Sequence, residues 1–174
     1  SIHEEADTRN VAGEAERHPG RACLERRYGR GGPLYDRWMT LAPVASRGRF
    51  LDDSGAIHHA LLTAVVTEFW RRYHVDFDRI VVDGADPALA LAAAYPHVLA
   101  GVVLRGGRAE PWTVRNFAAV PVYVVDDGIP ARGLVEDLRA AGHPDVTLGA
   151  EDRLLSWLDE RRRTFEATAG ITRA

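Results

Sequence analysis

Short β-branched runs alternate with stretches long enough for a helix, and this alternation restricts the chain more than any other feature. The runs are Arg79-Ile80-Val81-Val82, Gly101-Val102-Val103-Leu104, Pro121-Val122-Tyr123-Val124-Val125 and Val146-Thr147-Leu148. The first is a compact apolar block of the kind a parallel sheet buries on both faces. Between the runs, residues 87–95 are rich in Ala and Leu and stop at Pro96, which predicts a helix. Residues 131–141 predict another, ended by Gly142 with Pro144 just beyond. Residues 152–165 predict a closing helix with Leu154, Leu155, Trp157 and Leu158 on its apolar side. The triplet Arg161-Arg162-Arg163 then suits the negative end of that helix. Upstream, Thr40-Leu41-Ala42-Pro43-Val44 reads as a short strand. Ile57, Leu61, Leu62, Val65, Val66, Phe69 and Tyr73 follow at helical steps. Strands and helices in this order predict an α/β fold, a parallel-sheet sandwich with right-handed crossovers.

The chain divides into an arm over residues 1–37, a domain over 38–166 and a flexible tail over 167–174. The arm carries few large apolar side chains, and Gly29-Arg30-Gly31-Gly32-Pro33 is loop punctuation. Its arginines are diluted by Glu14, Glu16, Glu25 and Asp36, so a solvated or partner-facing surface is the expectation rather than a phosphate grip. The formal charge of −3 argues against a strongly basic nucleic-acid binder, and none is expected as a partner. All 22 basic residues are arginine, so these residues hold no lysine for a Schiff base or a Walker-type phosphate loop. Cys23 alone forms neither an internal disulfide nor a multi-thiolate metal site. No apolar run approaches the ~20 residues of a membrane span. Ser1-Ile2-His3-Glu4-Glu5 lacks the basic-then-apolar profile of a secretory signal, which favours a cytoplasmic location. Whether Ser1 is the native start or a trimmed end stays open.

One segment carries a family resemblance. Tyr73-His74-Val75-Asp76-Phe77-Asp78-Arg79-Ile80-Val81-Val82-Asp83-Gly84-Ala85-Asp86-Pro87-Ala88 resembles the strand-turn-helix of the α/β-hydrolases, in their esterase, polyhydroxybutyrate-depolymerase and prolyl-oligopeptidase-like groups. In that family the strand runs into a Gly-x-Ser-x-Gly elbow. The stretch from Ala100 to Gly107 is similar to the family's next strand, and Asn116 to Val125 to the strand before its catalytic acid. Leu138 to Leu148 is similar to the helix and strand before its catalytic histidine. Together these cover roughly residues 38–165, the C-terminal half of such a fold.

The resemblance implies a nucleophile where Asp86 stands, flanked by Gly84 and Ala88, which are small enough for the tight turn. The next residue should donate a backbone N–H to the oxyanion, but it is Pro87, which has none. Losing one such donor costs about 10²–10³ in rate. The acid would fall at Asp126 or Asp127, although Asp followed by Gly128 is equally ordinary turn chemistry. After Leu148 the chain runs Gly149-Ala150-Glu151-Asp152 with no histidine, and His143 lies before the last strand. A nucleophile without a base is weak. Nothing before Trp38 supplies the family's opening strands. The expectation is a truncated, degenerate α/β-hydrolase-like chain with no catalytic residue, Asp86, Pro87, Asp126 and Asp127 being degenerate positions.

Simpler roles are also available. Asp86 at an N-cap with Pro87 at the first helical position is an ordinary helix start. His58 and His59 point apart on a helix, while His3, His18, His74 and His97 fit surface positions. Of the serines, Ser1, Ser46, Ser54 and Ser156, none sits in an elbow. Asp52, Asp53, Asp83, Asp126 and Asp127 are placed to converge on a cation or to serve turns and caps, and the second role suffices. Gly106-Gly107 lacks the context of a dinucleotide site. No cofactor or metal is expected. The strand at Thr40, Leu41, Ala42, Pro43 and Val44 leaves a sheet edge to be covered, by the arm, by a protein partner or by a second copy. The resulting expectation is a structural or interaction subunit. The rivals are an ester, epoxide or halide hydrolase using Asp86, alone or completed by another chain, and a module binding a small ligand at the strand ends.

Overall fold

The computed structural model describes residues 70–163, together with 38, 66 and 67. The arm, the strand at residues 40–44, the tail, Cys23, Asp52, Asp53, the first three serines and the histidines at 3, 18, 58 and 59 lie outside the described residues. Of the helix expected before residue 73, the described positions 66, 67 and 70–72 are helical.

Four parallel strands lie side by side in chain order: β1 (Val81–Gly84), β2 (Gly101–Leu104), β3 (Val122–Val125) and β4 (Val146–Gly149). Helix α1 (Asp86–Ala94) connects β1 to β2, α2 (Pro111–Asn116) connects β2 to β3, and α3 (Ile129–Ala140) connects β3 to β4. Helix α4 (Glu151–Asp159) follows β4. The α/β class expected from the sequence is the class observed.

Strand register sorts the core into two layers. Val82, Val102, Val122 and Val146 are aligned across the sheet, as are Leu104, Val124 and Leu148. They face one side, against Ala88, Leu89 and Ala92 of α1, Val114 of α2 and Leu134, Val135 and Leu138 of α3. Connections of one hand between strands laid down in order must put all three helices on that side. The alternate positions, Val81, Val103, Tyr123 and Val125, face the other side, where Leu154, Trp157 and Leu158 of α4 and the indole of Trp38 cover them. Residues β2 and β3 are buried throughout, which is why those runs carry no polar alternation. Gly101 is needed where Trp157 crosses it: a Cβ there would lie 2.8 Å from the ring.

Several boundaries differ from the sequence reading. Arg79 belongs to a 3₁₀ turn (Phe77–Arg79) because Asp76 accepts from the Asp78 N–H at 3.0 Å and winds the chain before the strand begins. Helix α2 has six residues, opens at Pro111 and was not anticipated. The last helix ends at Asp159, short of the expected 165. Of the arginine triplet, Arg161 does serve that helix end: its Nε donates to the Trp157 carbonyl at 3.2 Å. Arg161 stacks on the Trp157 ring at 4.6 Å, Arg162 meets Asp76 at 3.3 Å and Arg163 meets Asp78 at 3.0 Å. The last two contacts strap the end of α4 to the turn that precedes β1.

Candidate functional site

The strand ends of a parallel sheet, with helix N-termini gathered beside them, are where α/β proteins place chemistry. Here that rim holds Asp83, Asp86, Arg105, Arg108, Asp126, Asp127 and Glu151.

The turn after β1 is tight, as its small residues require. The Ala88 Cβ would lie 3.5 Å from a Cβ built on Gly84. Ala85, at φ −109° and ψ −127°, is the N-cap, and its carbonyl accepts from the Ala88 and Leu89 N–H groups at 2.9 and 3.2 Å. Asp86 is thus the first helical residue, not the cap expected from the sequence. Its carboxylate leaves its own helix and accepts the Arg108 N–H at 3.0 Å, in the loop after β2. That loop comes close because Gly106 and Gly107 take φ of +101° and +106°. A Cβ on Gly107 would sit 2.9 Å from the Asp86 Oδ1. The aspartate where the resemblance puts a nucleophile therefore works as a bridge between two loops. Pro87 follows it and offers no amide to an oxyanion.

Asp126 also serves its own turn. Its Oδ1 accepts the Gly128 N–H at 3.1 Å, and Gly128 has φ +111°. Its backbone N–H donates to the Gly149 carbonyl at 2.8 Å. Asp126 and Asp127 are exposed, and among the described residues no hydrogen bond joins either to Asp86.

Histidine is displaced from this rim altogether. His143 lies in the turn before β4, 3% exposed, against Phe117 at 5.4 Å between ring centres. Its Nδ1 accepts the Asp145 N–H at 3.3 Å, so the neutral ring carries its proton on Nε2, which is fully covered and has no hydrogen-bond partner. Burial pushes the imidazole pKa down, opposed by the Phe117 backbone, the Asp145 charge and the Val120 backbone. His74 and His97 are exposed, as the sequence reading expected.

After β4, where the resemblance looks for a base, stands Glu151. Its carboxylate takes two hydrogen bonds from Arg105, that from Nη2 at 2.8 Å. The same guanidinium holds Asp83 with Nε at 2.8 Å and Nη2 at 3.1 Å. Burial alone would lower the arginine pKa, but the bonds and charges of Glu151 and Asp83 outweigh it and hold the pKa above the ordinary arginine value. Beside this clamp the Tyr123 hydroxyl donates to the Ala150 carbonyl at 2.7 Å. Burial and the Asp152 charge raise the phenol pKa, Arg153 opposes them, and Glu151 raises it further. Asp83, one of the acids placed for a cation, is committed to Arg105. Among the described residues no group of three His, Cys, Asp or Glu side chains is arranged to hold a metal ion.

The Asp83–Arg105–Glu151 clamp was not read from the sequence. The available signal was an arginine directly after a buried strand, with acids ending the strand before it and opening the last helix.

No protein-family model matches the chain, and no curated protein does. Among solved structures, a thermostable esterase is similar over 62% of this chain, with a TM-score of 0.50 and 18% sequence identity. The match spans 38% of the esterase chain. A likeness at this identity speaks of architecture, and with the four parallel strands it shows that the chain has an α/β-hydrolase-like fold.

Proposed function

We propose that this chain is a non-catalytic, α/β-hydrolase-like interaction subunit of a larger assembly, working in the cytoplasm. The observation that carries the reading is the occupation of Asp86: its carboxylate is spent on the Arg108 N–H, and Pro87 comes next. The engagement of Glu151 by Arg105 supports it further. Residues 40–44 are the proposed partner contact. Their neighbour in sequence, Trp38, packs against the same core layer as Val81, with the Arg79 guanidinium 4.6 Å from its ring centre. The test is to incubate the purified chain with activated esters, epoxides and haloalkanes. No turnover and no mass gain on the Asp86 peptide are expected, and robust cleavage overturns the proposal.

A second reading keeps Asp86 as a nucleophile toward an ester, epoxide or halide, alone or with another chain completing the site. Its support is that Asp86 is exposed at the strand end of β1. A covalent adduct on Asp86 that disappears in Asp86→Asn would establish it, and turnover only on adding a second chain would assign the missing base to that chain.

A further inference from the structure

Two large apolar side chains stand in solvent at the strand-end rim without serving the core. Ile129, the first residue of α3, is 86% exposed, and Trp112, the second of α2, is 68% exposed. Neither belongs to a core layer. A polar residue would satisfy either helix start equally well, so the monomer's fold accounts for neither. Strands β2 and β3 are neighbours, so α2 and α3 begin side by side at the same end of the sheet.

The charges around the two side chains are divided. The side of α2 carries exposed Arg108 and Arg115, with Glu110 in a loose 3.4 Å pair to Arg108, whose side chain is 88% exposed. The side of α3 carries exposed Asp126 and Asp127, with exposed Arg132 in its first turn, so it leans negative where the side of α2 leans positive. Such a surface is complementary to itself: a two-fold axis between the helix starts sets the Arg108–Trp112 half of one copy against the Asp127–Ile129 half of the other. Isologous contacts have this form, each patch meeting the other's counterpart, and tryptophan is among the residues enriched as interface anchors.

We infer that the rim carrying Trp112, Ile129, Arg108 and Asp127 is a self-association surface whose partner is a second copy of this chain. This names a partner for the interaction role proposed above and rests on that reading. Sedimentation of the full chain, from low micromolar to several hundred micromolar, should show a species of twice the monomer mass. Trp112→Ser and Ile129→Ser should each weaken it by about tenfold or more, while circular dichroism and the melting temperature stay at wild-type values. Arg108→Asp and Asp127→Arg should each weaken it singly, and the two together in one chain should restore it. A monomer at every concentration overturns the inference, as does an oligomer unmoved by these variants or a charge exchange that fails to restore association. Turnover assays read the parent proposal separately: an inactive monomer removes this surface alone, and an active chain removes the parent reading.

Discussion

The Arg105 guanidinium lies against the Asp83 carboxylate through two hydrogen bonds, of 2.8 and 3.1 Å, with both side chains 17% exposed. Asp83 is the penultimate residue of β1 and Arg105 follows β2, so the pair locks neighbouring strands at the rim, and Glu151 ties in α4. Arg105→Gln strips two carboxylates of their shared cation. It should cost on the order of 2–3 kcal/mol, less than a fully buried pair because Glu151 is half exposed. Urea unfolding reads this. Adding Asp83→Asn should recover part of the loss, since the two effects are coupled. A cost within a few tenths of a kcal/mol would show that the clamp contributes nothing.

His143 gives the fold an acid sensitivity. Its pKa is below the unfolded value of 6.5, so the unfolded chain binds the proton first. Stability from this group is therefore complete above about pH 6.5 and declines as pH falls from there toward the folded pKa. Protonation also sets an N–H on Nδ1 against the Asp145 N–H that it now accepts. The urea midpoint should fall between pH 7.5 and pH 5, and His143→Phe should flatten this slope. A slope unchanged in the variant would assign it elsewhere.

Tyr123 reaches its hydrogen bond by passing over Gly149. A Cβ on Gly149 would run into the Tyr123 hydroxyl and lie 2.7 Å from the ring carbon bearing it. Gly149→Ala should destabilise by about 1–3 kcal/mol, as overpacking does. Tyr123→Phe should cost about 1 kcal/mol alone, by losing the bond to the Ala150 carbonyl, yet soften the Gly149→Ala defect when combined with it. Strict additivity in thermal unfolding would mean that the ring and the glycine do not compete for the same space.

The Asp86 bridge predicts a failed conversion. Asp86→Ser places a hydroxyl where the resemblance puts one, but Pro87 still supplies no amide and His143 stays in the core. Esterase assays on this variant should read no more than background. Gly107→Ala should loosen the same bridge, because its φ of +106° disfavours a side chain and its Cβ would press on the Asp86 carboxylate. The melting temperature checks it, and an unchanged value would show that the loop adapts freely.

The four strands and three of the helices between residues 81 and 159 were legible because burial on both faces of a sheet leaves β-branched blocks, and Pro96, Gly142 and Pro144 mark where helices stop. Helix α2 was not, since six residues carry less than two turns of periodicity. The sequence offers Asp86 to its own helix because N-capping is a local signal. Its real partner is an amide across a loop that only Gly106 and Gly107 allow to approach. His143 was read as misplaced for a base, yet its burial was invisible: the turn between Phe117 and Val120 that covers it is distant in sequence. The Arg105 clamp joins three segments whose acids each had a local explanation as turn or helix-start residues. Nothing short of the strand order brings them together.

Because α4 is made after every strand it shields, synthesis imposes a sequence of events on the Tyr123 side of the sheet. At about 5–20 residues added per second, Val103 and Tyr123 wait several seconds for Leu154, Trp157 and Leu158 to emerge. During that interval one side of the nascent sheet is already furnished with helices while the opposite side, which Trp38 reaches, still lacks α4. A stalled ribosome upstream of Leu154 would thus release a half-clothed sheet, the form of this polypeptide most in need of a chaperone.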